Sequence, residues 1–277
     1  MISLEKFVNG GYIETDYSSI FIRTIGEGSP LVVIHGGPGL EHSYLFEWLK
    51  PLSAYRTLIF YDQCGCGKDK SNISDVTASA MVDQFDSLFN TIPKDNGIGI
   101  LSHSWGIYIT LSFLQRNNVQ GVNELVISNP TALTSARFDE SGQRLMDRIP
   151  SDVQTIIGEL ESKNTIEAGA ELMKTALPYY VSSPKNVPEI QFEFYNPDIF
   201  NKVAESMGDF DITNLCSLLP KNTLLIYGED DFETQDGSKE LQTTFAQKVI
   251  IPSTGHFSFA EDQKSFLDSV IPFLNKK

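Results

Sequence analysis

The sequence predicts an α/β fold: a mostly parallel central sheet flanked by helices, with an inserted helical cap domain. Three observations carry that reading. Four short, nearly continuous apolar runs, Leu31–His35, Thr57–Asp62, Ile98–His103 and Glu124–Asn129, have the composition of strands buried on both faces. Helix-like stretches, including Ala78–Thr91 and Trp105–Gln115, separate them, as right-handed crossovers require. The alternation stops near Pro130 and resumes only at Thr223–Gly228.

In chain order, two alternating runs come first, Gly11–Thr15 and Ser19–Thr24. They are broken by Asp16-Tyr17 and then by Gly26–Gly28, the pattern of a β-hairpin. The four buried strands follow. From Thr131 to about Gly208 the chain reads as amphipathic helices broken at Pro150, Pro178, Pro184, Pro188 and Pro197. After Thr223–Gly228 come a helix near Ser238–Phe245, a strand at Lys248–Pro252 and a last helix from Phe257 to about Leu274. The expected organisation is therefore a core of residues 1–130 and 209–277 with a cap at 131–208. Leaving after a strand end, the cap is expected to overhang the carboxyl edge of the sheet, where open α/β folds bind ligands.

A chain of 277 residues with 41% hydrophobic and 21% charged residues has room for one large core and a modest insertion. A net charge of −15 repels nucleic acid and anionic membranes, so neither is expected as a partner. No signal peptide is visible at the N-terminus, and no apolar run approaches the roughly 20 residues that span a bilayer. Cys64, Cys66 and Cys216 are an odd set that suits a reducing cytoplasm better than a disulfide framework. The Cys-x-Cys pair lacks a nearby Cys or His to complete a site, and no metal is expected.

The chemistry concentrates at strand ends. In "ILSHSWGIYITL" a strand-like run passes into a helix-like run with Ser104 on the turn between them. Hydrolases that place a serine there usually write the turn G-x-S-x-G. Gly106 keeps the downstream position small, whereas Ser102 takes the place of the first glycine; Ile107, just past the pattern, is a second departure, bulky where a small residue is common. "HGGPG", His35 to Gly39, follows another strand, and its unshielded amides suit an oxyanion hole made of the Gly37 and Trp105 N–H groups. An acid stands after a third strand, in "YGEDDFE", and His256 after a fourth. The order Ser, acid, His is that of the α/β-hydrolase fold.

These blocks also carry a family resemblance. "VIHGGPGLEHSYL" and "YDQCGCGKDK" resemble the corresponding segments of proline iminopeptidases, nearest the tricorn-interacting aminopeptidase branch of the α/β-hydrolase superfamily. "SHSWG" resembles their nucleophile turn, and the likeness covers most of residues 20–130 and returns over 220–275. It implies Ser104 as nucleophile, His256 as base and Asp231, three residues after Gly228, as triad acid, with Asp230 as the fallback. It also implies a small-molecule or short-peptide substrate and no cofactor.

The departures bear on substrate. The branch resembles a pattern with a glutamate beside the triad acid, for the substrate's α-ammonium; here Phe232 stands there, with Glu233 next. The cap-closing E-F-x-x-x-G segment is replaced by "AESMGDFDITNL". Glu193 and Glu205 are the candidate replacements, and His42 is a candidate pocket residue. His103, beside Ser104, reads as a packing or hydrogen-bonding residue, since its side chain leaves the turn in the opposite direction. The expected function is a serine hydrolase acting through an acyl-enzyme, proline iminopeptidase-like, on small peptides or aminoacyl amides. The alternative is esterase, amidase, lactonase or thioesterase action on a small molecule. A non-catalytic ligand-binding relative is disfavoured because all three triad types are present.

Overall fold

Alternate residues of a strand point to opposite faces of its sheet, so a continuous apolar run needs cover on both sides. In β3 (Pro30–Ile34), Leu31 and Val33 enter one apolar cluster while Val32 and Ile34 enter another. The computed structural model describes residues 3–94, 97–117, 121–242 and 245–275. Its sheet holds β1 (Gly11–Glu14), β2 (Ser19–Ile25), β3, β4 (Thr57–Tyr61), β5 (Ile98–His103), β6 (Val122–Ser128), β7 (Thr223–Gly228) and β8 (Gln247–Ile251). The strand order is β1-β2-β4-β3-β5-β6-β7-β8. The β1–β2 and β2–β4 pairs are antiparallel; every later pair is parallel. β8, at the edge, buries only Ile251, which leaves Lys248 and Ile250 to solvent.

Helices α1 (Ser43–Leu49), α2 (Ala78–Thr91) and α3 (Gly106–Asn117) connect the first parallel strands. Thr77 caps α2 by accepting the Ala80 N–H, and eight of its 14 residues are buried. Between β6 and β7 run α4 (Ser135–Arg148), α5 (Ser151–Lys163), α6 (Ile166–Tyr180) and α7 (Pro197–Met207). The ends of this excursion lie side by side: Ser135 N–H donates to Phe210 C=O at 3.0 Å and Ile212 N–H to Leu133 C=O at 3.0 Å. α8 (Ser258–Glu261) and α9 (Gln263–Leu274) close the chain. Among the described residues, no helix is long and apolar enough to cross a membrane.

Three local expectations differ from the structure. Pro178 does not end its helix; it lies inside the final turn of α6. Pro150 and Pro197 mark helix starts instead, where a missing N–H costs nothing. The helix expected near Ser238–Phe245 is a single 3₁₀ turn at Lys239–Leu241, and residues 243–244 of that stretch lie outside the described residues. The last helix is two, with Asp262 capping the second by accepting the Ser265 N–H.

Candidate active site

Strand order decides which loops meet. The neighbours β3, β5, β6, β7 and β8 end, in that order, on His35–Gly39, Ser104, Asn129, Asp231 and His256. Ser104 has φ +53, in the left-handed region that a serine adopts at a cost of about 1–3 kcal/mol unless the surroundings hold it there. The surroundings are tight. A Cβ added at Gly106 would sit 2.9 Å from Ile34 O and 3.2 Å from Ser102 Cβ. Glycine at 106 is thus what makes room for Ser102, whose buried hydroxyl finds no hydrogen-bond partner among the described residues.

Ser104 Oγ lies 2.9 Å from His256 Nε2, and His256 Nδ1 lies 3.0 Å from both carboxylate oxygens of Asp231. Asp230 faces away, where its carboxylate accepts the Ser182 hydroxyl at 2.6 Å. Burial pushes the His256 pKa down, but the Asp231 charge and hydrogen bond, with Glu233 and Glu261 behind them, leave it above the ordinary imidazole value. Asp231 is itself held, accepting the Asn129 side-chain N–H at 2.9 Å and the Glu233 backbone N–H at 3.0 Å. Asn129, at φ +46, also donates to Gly255 O at 3.0 Å and accepts from Ser258 Oγ at 2.6 Å. Sequence reasoning missed Asn129; its only signal was a polar residue ending an apolar strand run.

Gly37 lines the cavity over Ser104 and has φ +123, a conformation that suits glycine. Among the described residues, neither the Gly37 nor the Trp105 N–H appears in the hydrogen bonds of the fold. The loop is braced from behind, with His35 Nδ1–H donating to Gly36 O at 2.7 Å and Gln63 N–H donating to His35 Nε2 at 3.1 Å. The roof of the cavity includes Met173 and Tyr180 of α6, Tyr195 and Phe200, and no carboxylate is among its described lining residues. A second recess adjoins it across Pro38 and Phe200, walled by Trp105, Tyr108, Phe138 and Phe210, with the exposed Asp139 and Asp209 also in its lining.

The substrate-binding candidates are not brought to Ser104. His42 is buried elsewhere, its Nδ1 at 2.7 Å from Asp62 Oδ1 and 3.2 Å from Glu41 Oε2. That buried trio is self-satisfied, since Ser43 donates to Glu41 through both its N–H and its hydroxyl. Glu193 is exposed and lines a separate surface cleft with Arg23 and Gln263. Glu205 is exposed on α7, outside the lining of either cavity. Beside each an apolar residue turns inward, Phe192 next to Glu193 and Val203 two positions before Glu205, and the two carboxylates face out. Phe232 packs on the His256 ring at 4.9 Å between centroids. Glu233 is buried and turned away, accepting the Thr131 hydroxyl at 2.6 Å and the Ala132 N–H at 3.1 Å, and burial raises its pKa.

The profile of the alpha/beta hydrolase fold family matches residues 29–263. A proline iminopeptidase from Heyndrickxia coagulans is 26% identical over 270 residues, spanning 90% of this chain and 92% of that one. Among solved structures, a thermophilic esterase from Thermogutta terrifontis superposes with a TM-score of 0.71 at 19% identity, covering 96% of this chain and 97% of that one. A proline iminopeptidase from Mycobacterium smegmatis gives 0.66 at 21% identity, with coverages of 96% and 97%.

Proposed function

The chain belongs to the alpha/beta hydrolase fold family, and from that membership we propose a serine hydrolase that works through an acyl-enzyme. The observation that carries the proposal is the continuous contact from Ser104 Oγ through His256 to Asp231. His256 Nε2 takes the Ser104 proton as Oγ attacks the substrate carbonyl carbon. The negative charge on the carbonyl oxygen is met by the Gly37 and Trp105 N–H groups. The protonated His256 returns its proton to the leaving group; a water then attacks the ester with His256 again as base. Asp231 keeps Nδ1–H oriented and stabilises the imidazolium. Residues 131–208 act in this reading as a cap that shields the acyl-enzyme and selects its substrate. Three free, buried cysteines support a cytoplasmic setting.

For the substrate, the named relatives support a proline iminopeptidase-like activity on small peptides or aminoacyl amides. A second reading, an ester or amide with an uncharged acyl group, is favoured by one observation. Phe232 packs on His256 where the aminopeptidase branch places a carboxylate, and the cavity over Ser104 has no acid among its described lining residues. A buried ammonium without a partner is strongly unfavourable. The deciding assay compares proline and alanine aminoacyl amides, free and N-acetylated, with short-chain nitrophenyl esters. On the second reading, acetylation costs less than about tenfold in kcat/KM, under about 1.4 kcal/mol. Loss of turnover on acetylation sinks it and restores the exopeptidase.

A further inference from the structure

We propose that Tyr44 and His103 are positioning residues that tie the oxyanion loop to the backbone of the general base, holding a constant spacing between them across Ser104. This rests on the roles given above to Gly37, Ser104 and His256. Gly36 N–H donates to the Tyr44 hydroxyl oxygen at 2.6 Å. Tyr44 O–H in turn lies 2.8 Å from His103 Nδ1, and His103 Nε2 lies 3.0 Å from the His256 carbonyl oxygen. Donors and acceptors match in one way only. The carbonyl must accept, so His103 carries its proton on Nε2; Nδ1 must then accept, so the Tyr44 hydroxyl donates to it. The chain of bonds therefore runs from the residue before Gly37 to the catalytic histidine itself.

Two features make this a spacer rather than incidental polarity. The first is confinement. Tyr44 and His103 are each 1% exposed. Tyr44 stacks on Phe192 at 5.9 Å, while His103 stacks on Phe257 at 5.7 Å and meets Phe259 edge-on at 5.2 Å. Neither ring has an alternative partner in water, and burial keeps the His103 pKa well below the imidazole norm, which preserves the neutral tautomer. The second is contact with the reacting group. A Cβ built at Gly36 would fall 2.9 Å from the Tyr44 hydroxyl, 3.0 Å from His103 Nδ1 and 3.0 Å from Ser104 Cβ. The loop backbone is pressed against the nucleophile and both spacer residues at once. Shifts of an ångström at such a point cost rate far more than binding.

The test uses Tyr44→Phe, His103→Phe, His103→Gln and the Tyr44→Phe/His103→Phe double variant, on the best ester or amide substrate found. Competent sites are counted by end-point fluorophosphonate titration, so that misfolded protein drops out of kcat. Tyr44→Phe, which removes one oxygen, is expected to lower kcat per titrated site at least tenfold with KM within about threefold. His103→Phe is expected to match or exceed that loss. His103→Gln retains an N–H for the His256 carbonyl and an acceptor for Tyr44, and is expected to recover most of it. Because the two residues act as one unit, the double variant is expected within about twofold of His103→Phe. The proposal is overturned if Tyr44→Phe keeps kcat within threefold of the parent, if the two losses multiply, or if glutamine restores nothing. Failure of the underlying reading shows separately, as phosphonate labelling that survives Ser104→Ala.

Discussion

The sheet edge and the helices above it form two walls of one site on different physical terms. β3, β4, β5 and β7 bury every residue, whereas α5 buries none of its 13 and α4 buries only Ser141. Ser104 and Asp231 follow the fully buried β5 and β7, and His256 follows the edge strand β8 at its one buried residue, Ile251. Met173, Tyr195 and Phe200, which line the cavity over Ser104, lie on the excursion that includes α4 and α5. A reaction needs its atoms held within fractions of an ångström, which close packing supplies. Admission of substrate needs surfaces that give way, and elements with few buried contacts open at low free energy. The comparison teaches that rate should be lost through the first wall and selectivity through the second.

The largest effect expected is at Ser104. Ser104→Ala is expected to abolish fluorophosphonate labelling and to cut turnover by about 10⁴-fold or more. Undiminished labelling would remove the sheet edge as the seat of chemistry. Next is the acid. Asp231→Asn is expected to lower kcat by about 10³- to 10⁴-fold, and Asp230→Asn, which loses only a surface bond to Ser182, by less than about threefold. Steady-state kinetics on the pair decide it, and the reverse ranking moves the assignment by one residue.

The stability contrast is sharper still in kind, though smaller in size. Leu101→Ala, in β5 and 1% exposed, is expected to cost about 2–5 kcal/mol in urea unfolding. Ile156→Ala, in α5 and 47% exposed, is expected to cost no more than about 0.5 kcal/mol. Equal losses would show that the excursion is as firmly packed as the sheet.

The smallest effect concerns pH. Base catalysis needs neutral His256, so kcat/KM rises as pH increases through its pKa, which lies above the usual imidazole value of about 6.5. Glu233, behind the triad, is one of the charges that raise it. Glu233→Gln removes that charge and is expected to move the acid limb to lower pH, with the plateau little changed. An acid limb that stays in place would mean that this group is uncharged at working pH, and one that moves up would mean that its charge does not act on His256 as assigned.

What was legible in the sequence, and what was not, divides along the same line. The strands, the Ser104 turn and the HGGPG loop could be read because each is specified locally, by apolar runs and by glycines at positions that tolerate no side chain. The choice of Asp231 over Asp230 needed a glycine spacing taken from the resemblance; the structure places Asp231, and not Asp230, against His256. Pro178 misled because proline near a helix end removes only one bond of the last turn.

By itself, the sequence determined the class of fold and which residues carry reactive side chains, since apolar periodicity and turn chemistry act over a few residues. Only the tertiary structure decided which of them meet. Tyr44, His103 and His256 are joined across 59 and then 153 positions, and Asn129 reaches Asp231 across 102. Glu193 and Glu205 point to solvent, and His42 is spent on Asp62. Whether a polar side chain faces a cavity depends on which neighbouring residue wins the buried position. That competition is settled by packing between segments far apart in the chain, through free energies that no local pattern contains.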